Sequence, residues 1–234
     1  MDFALSDEQR QIREAARRFA RETLRDLARD LEARDEPVPA EHLKRYAEMG
    51  FLGINVPAAY GGQGLGNLEA LLVLEEFAQV SPAVAFPVFE SSVGPVRAIE
   101  HFAGEALKRR VIPKVCAGEL VVAVAMSEPD AGSALTDLRT RARLDGDDYV
   151  IDGQKRWSSG GGHSGGYVVY CRLSDAAGAK GIGAIYVEAD RKGVGFGPRE
   201  RLMGFRGIPS ADISLTGRIP WEARRLGLGL RSAT

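Results

Sequence analysis

From about residue 6 to residue 114, apolar positions recur at the three-and-four spacing of helices that bury one face. Ser6 followed by Gln9 reads as a capping box, and Ile12, Ala16, Phe19, Ala20, Leu24, Leu27 and Leu31 form one stripe behind it. That stripe needs a partner to bury it. Pro39 is placed to open a second helix, with Leu43, Tyr46 and Ala47 facing inward and Gly50 ending it in the left-handed conformation. A glycine-rich loop at residues 60–66 precedes a third helix carrying Leu68, Leu71, Leu72, Leu74 and Phe77. Pro82 and Pro87 then read as interruptions, with two shorter helices predicted near residues 93–102 and 105–115.

After Gly118 the period changes. Short runs rich in Val, Ile and Tyr at residues 121–126, 140–144, 149–157, 167–172, 183–188, 194–198 and 211–219 read as strands. Glycine-bearing turns such as Asp145-Gly146-Asp147 separate them, which suits hairpins better than helical crossovers. The expected fold class is therefore α+β: an all-helical domain over residues 1–118, then an antiparallel β-barrel or sandwich over residues 119–220. Residues 221–234 read as an atypical tail.

Composition narrows the function. Lys and Arg total 31 against 32 Asp and Glu, so there is no basic field to gather a nucleic-acid backbone. The N-terminus lacks the basic and apolar regions of a signal peptide, and no run approaches the roughly 20 apolar residues of a membrane span, so a cytoplasmic location is expected. Cys116 and Cys171 are too few for a disulfide framework and read as inert, half-buried thiols. His42, His101 and His163 lack ligand spacing, so no metal site is expected, and no glycine run has the form of a dinucleotide fold or P-loop.

Four stretches in register resemble the acyl-CoA dehydrogenase family. Gly53-Ile54-Asn55-Val56-Pro57 with Tyr60-Gly61-Gly62-Gln63-Gly64 is similar to a motif of that family's helical domain. Met126-Ser127-Glu128-Pro129, running on to Gly132-Ser133, resembles its flavin loop; Gly153-Gln154-Lys155-Arg156-Trp157-Ser158-Ser159 resembles its Lys-x-Trp strand; and Met203-Gly204-Phe205-Arg206-Gly207 resembles a third turn. Any one of them alone is a common turn or strand. Their shared order over most of the chain is what independent turns would not reproduce.

The resemblance implies FAD as cofactor, an acyl-CoA thioester as substrate and an electron-transfer flavoprotein as acceptor, in a homo-oligomer when full length. Desaturating a thioester between its α and β carbons needs a carboxylate to take the α proton and a flavin to accept the β hydride. Carried over, Met126 and Ser127 would contact the flavin, and Gly132 and Ser133 would approach phosphate and substrate. Trp157 would lie against the ring, and the Ser159 hydroxyl would bond near its edge. Ser158 is read as structural, and Arg206 as fixing its turn by pairing with a neighbouring carboxylate. Ala134 stands where the family has Asp, which weakens substrate placement at that loop. No glutamate matches the family's catalytic base, which belongs to a C-terminal helical bundle expected beyond the end of this chain, so the chain alone is expected to be inactive. The competing readings are an oxidase-like flavoprotein of the same superfamily and a non-catalytic remnant or subunit of a split enzyme.

Overall fold

A computed structural model describes residues 4–220 and 225–228. The chain divides into two compact units. The first comprises Met1–Arg97, Pro113–Glu119 and Leu202–Ile208; the second comprises Ala98–Ile112, Leu120–Arg201 and the chain from Pro209 onward.

The first unit is helical. Helix α1 (Asp7–Arg34) starts at the expected capping box, the Ser6 hydroxyl accepting from the Gln9 amide and the Gln9 side chain from the Ser6 amide. Its buried residues include Ala16, Ala20, Leu24, Leu27 and Leu31, the expected stripe. Helices α2 (Ala40–Glu48) and α3 (Asn67–Ala78) follow, with Gly50 in the left-handed region at φ 72°. Phe19, Tyr46, Phe51 and Phe77 form an aromatic knot, with ring centroids 5.2 to 5.8 Å apart in stacked, tilted and edge-on pairs. Arg17 bonds Glu76 through two parallel contacts of 2.7 and 3.0 Å, pinning α1 to α3.

One expectation fails here. Pro82 does not interrupt the chain but opens α4 (Pro82–Val88), capped by the Ser81 hydroxyl at 3.2 Å from the Ala83 amide. A proline at the first helical position loses no hydrogen bond, because that N–H is an orphan in any helix. The chain then widens into a π-helical turn at Phe89–Val93 before α5 (Pro95–Phe102) and α6 (Glu105–Cys116). Leu68 and Leu71 of α3 are 48% and 50% exposed. Gly53 shows why a motif glycine is required: it has φ +62°, and a Cβ there would stand 2.4 Å from Cys116 Sγ.

The second unit is built on one eight-stranded sheet. Strands β1 (Val122–Ala125), β2 (Arg141–Asp145), β3 (Asp148–Ser159), β4 (Gly166–Arg172), β5 (Ile182–Glu188), β6 (Val194–Phe196) and β7 (Ser210–Pro220) fall on the seven expected runs. An eighth, β8 (Arg225–Leu228), lies in the segment read as an atypical tail and pairs with β5; the rest of that tail is outside the described residues. The order is β6-β7-β3-β2-β4-β5-β8, with β1 also on β4. This curled half-barrel is mixed rather than purely antiparallel, because β1 and β2 both run parallel to β4. Hairpin turns report only on strands adjacent in sequence, and β4 takes its remaining partners from further away. Tyr149, Ile151, Tyr167, Val169, Ile185, Val187, Ile213 and Leu215 fill the core beneath the sheet.

Candidate functional site

Strand β3 alternates inward and outward, and its inward register brings Lys155 into the interior. An ammonium cannot remain charged there without partners. Its Nζ donates to Glu128 Oε1 at 2.8 Å and to the Met126 carbonyl at 2.9 Å. Glu128 also accepts from the backbone amides of Arg139 and Thr140, the latter at 2.9 Å. Burial opposes the charge on Glu128, but these donors outweigh it and hold the carboxyl below its usual range. Burial pulls the Lys155 ammonium below its usual value against the attraction of Glu128.

This pair joins two segments distant in sequence. The Arg156 amide adds a bond to the Ser127 carbonyl at 3.0 Å, so residues 126–127 run alongside residues 155–156. Beyond them the chain folds back in a tight bridge in which Glu128 and Ala131 exchange backbone bonds of 2.9 and 3.1 Å. Gly132 and Ser133 emerge from that bridge exposed, and a Cβ built at Gly132 meets nothing within 4 Å. Among the described residues no hydrogen bond links Gly132 or Ser133 to Trp157 or Ser159.

Trp157 breaks the strand's regularity. Its φ is +54°, and the pairing with β7 shifts register between Lys155 and Ser158. Left-handed backbone costs a non-glycine residue about 1–2 kcal/mol, and a bulge re-aims a side chain. The result is an indole 65% exposed beside the Met126–Ser127 segment. Arg156 braces it, its guanidinium lying 5.6 Å from the ring centroid while bonding Asp212 at 2.8 and 3.0 Å. Ser159 is half-buried, paired with Ser210 where β3 ends, and Ser158 is buried.

Of the six residues singled out from sequence, Met126 and Ser127 run alongside the strand segment that carries Trp157, Ser159 lies two positions further along β3, and Gly132 and Ser133 follow on an exposed loop. The arrangement offers a flat aromatic face, half-buried polar edges and a glycine with free space over its backbone, a set that fits a planar ring system carrying a phosphate-bearing tail. Sequence reading missed the Lys155–Glu128 pair. The signal was there, since a lysine at an inward position of an alternating strand demands a carboxylate. Arg206, expected to pair with a carboxylate, makes no hydrogen bond or ion pair among the described residues. Both cysteines are fully buried rather than half-buried, and burial pushes the Cys116 thiol up to about 11 and Cys171 up to about 12.

Residues 6–119 match the family model described as "Acyl-CoA dehydrogenase, N-terminal domain" and residues 123–217 the one described as "Acyl-CoA dehydrogenase, middle domain". The mitochondrial isovaleryl-CoA dehydrogenase of Pongo abelii is 34% identical over 212 residues, which cover 89% of this chain and 50% of that protein. The crystal structure of an acyl-CoA dehydrogenase from Geobacillus kaustophilus superposes with a TM-score of 0.89 at 27% identity, covering 97% of this chain and 60% of that one. A structure described as the FAD complex of PigA superposes with a TM-score of 0.91 at 26% identity, covering 100% and 61%. The chain spans about half the length of the curated relatives it matches.

Proposed function

The chain belongs to the acyl-CoA dehydrogenase family through its N-terminal and middle domains, and from that premise we propose that it supplies the flavin-facing part of an FAD-dependent acyl-CoA dehydrogenase. The observation that carries the proposal is Trp157: an indole held exposed by a left-handed bulge is a cost to stability that a bound ring would offset.

FAD, when bound, would accept a hydride from the β carbon of an acyl thioester. The exposed face of Trp157 would stack on the ring, and the Ser159 hydroxyl would donate to its edge. Lys155, itself paired with Glu128, holds the Met126 carbonyl and the Arg156 amide holds that of Ser127, so that this wall would need little reorganisation when the cofactor enters. The exposed backbone of Gly132 and the Ser133 hydroxyl would receive phosphate and substrate.

The base that takes the α proton must come from elsewhere. Of the carboxylates near this surface, Glu128, Asp130 and Asp212 are engaged by Lys155, Arg139 and Arg156 respectively, while Glu200, whose amide bonds the Ser210 carbonyl, places its charge near Arg156. A carboxylate committed to an ion pair is a poor proton acceptor. The proposal therefore includes inactivity of residues 1–234 alone and electron transfer onward to an electron-transfer flavoprotein in the completed enzyme.

The test is reconstitution with the C-terminal bundle of a relative, supplied in trans or fused. Flavin absorbance per chain and enoyl-CoA formation are recorded with short, long and branched acyl-CoA and an artificial acceptor. Flavin retention and turnover are expected only in the completed protein. A completed protein that binds no flavin overturns the cofactor assignment, and a chain that turns over alone overturns the assignment of the base to another domain.

A further inference from the structure

Arg13, Arg17, Arg21, Arg25 and Arg29 occupy every fourth position of α1. With a rise of 1.5 Å per residue, successive members stand about 6 Å apart along one ridge. Arg17 is consumed by Glu76 and Arg29 bonds Asp26. Arg21 and Arg25, exposed between them, make no hydrogen bond or ion pair among the described residues.

Together with Arg206 they line a cleft of about 640 Å³. All of the cleft's residues lie in the helical unit. Arg206 is half-buried and likewise unpartnered. It cannot simply turn outward with its loop, because that turn is anchored on both sides. The Gly207 amide donates to Asp35 Oδ1 at 3.0 Å, and the Phe205 ring packs edge-on against Phe86 at 5.4 Å. Guanidinium groups converging on a concave surface with low-dielectric walls concentrate positive potential, and each presents a fork matched to paired oxygens. Glu32 is the cleft's one carboxylate not already bonded to an arginine, since Glu76 is held by Arg17. At the rim, Ser81 Oγ accepts from the Ala83 amide, which leaves its hydroxyl proton free to donate. No aromatic side chain lines the cleft, so nothing there would stack on a nucleobase.

We propose that this cleft binds a phosphate-type oxyanion, held by Arg21, Arg25 and Arg206 with the Ser81 hydroxyl. The recognised chemistry is the tetrahedral group itself, whether free or borne on a larger molecule.

The purified chain is titrated with inorganic phosphate at constant ionic strength, chloride making up the balance, while arginine Nε–H resonances and the thermal midpoint are followed. A saturable shift and a rise in the midpoint are expected, with R206Q and R25Q each weakening affinity by about tenfold. R34Q, off the cleft on the same helix, should leave it unchanged. Pyrophosphate, ADP and adenosine form the second arm. Adenosine should not bind; ADP binding like phosphate would indicate a site for the free group, and tighter ADP binding a site for a phosphate ester. Circular dichroism verifies that the variants fold, and R25Q, on an exposed helix face, serves as the variant whose folding is least at risk. A response that never saturates, one that chloride reproduces, or full affinity in folded R25Q or R206Q would each overturn the proposal.

Discussion

Lys155 has no exposed side-chain surface and lies 2.8 Å from Glu128, whose side chain is 6% exposed. Together they staple a loop to a strand 27 positions away. Removing one partner of a buried ion pair leaves the other charged and unpaired, at a cost of about 3–5 kcal/mol. Lys155→Met and Glu128→Leu should each destabilise the chain by that order. The double variant should cost clearly less than the sum, since no orphaned charge remains. Urea unfolding of all four proteins checks this, and strict additivity would show that the pair does not act as a unit.

The same pair sets an acid limit. Glu128 has a folded-state pKa below its ordinary value, so the stability it contributes is complete above the usual carboxylate range. That contribution is lost as pH falls through the lowered folded-state value. Unfolding midpoints from neutral pH down to about pH 3 should fall more steeply for the parent than for the K155M/E128L double variant. Parallel curves would remove Glu128 from the acid transition.

Trp157 should separate stability from function. Its ring is 65% exposed and its backbone left-handed, so Trp157→Gly gives up little packing and relieves about 1 kcal/mol of strain. The variant should unfold no earlier than the parent. In the completed enzyme it should retain less flavin or reduce it more slowly. Wild-type flavin occupancy and reduction rate would refute the role given to this residue.

Cys116 and Cys171 should be silent in the native chain. Both thiols are buried and titrate well above neutrality, so the reactive thiolate is scarce and inaccessible. A chromogenic disulfide reagent should label neither until denaturant is added, and then both. Rapid native labelling would mean that the surrounding core opens far more readily than its packing implies.

Replacing Gly53 by Ala should disrupt the motif that carries it. The new methyl would collide with Cys116 Sγ while forcing a left-handed alanine. A loss of about 2 kcal/mol or more is expected, and Cys116→Ala should recover part of it by vacating the space. Thermal melts of the single and double variants decide whether the collision or the backbone dominates.

Much of the architecture was legible before folding. The capping box at Ser6, the stripe from Ala16 to Leu31 and all seven strand runs after Gly118 were read from period and turn chemistry alone, because those signals act between residues a few positions apart. The motif order placed Met126, Ser127, Trp157 and Ser159 in one functional group by resemblance. What depended on distant partners was not legible. Pro82 reads as a breaker until a cap at Ser81 makes it a first helical residue.

The sequence by itself therefore determined most of the helices, the seven strands up to residue 220 and the kinds of residue available for chemistry, since local sterics and the burial period are written into adjacent positions. Tertiary structure alone decided that β4 takes parallel partners, that Lys155 finds Glu128, that Trp157 is turned outward at a bulge and that Arg206 lines a cleft with Arg21 and Arg25 without pairing to a carboxylate. Each of those outcomes depends on which surfaces meet once the chain has closed long loops, and the free energy that selects them, the desolvation of charge and the filling of space, does not exist until they do.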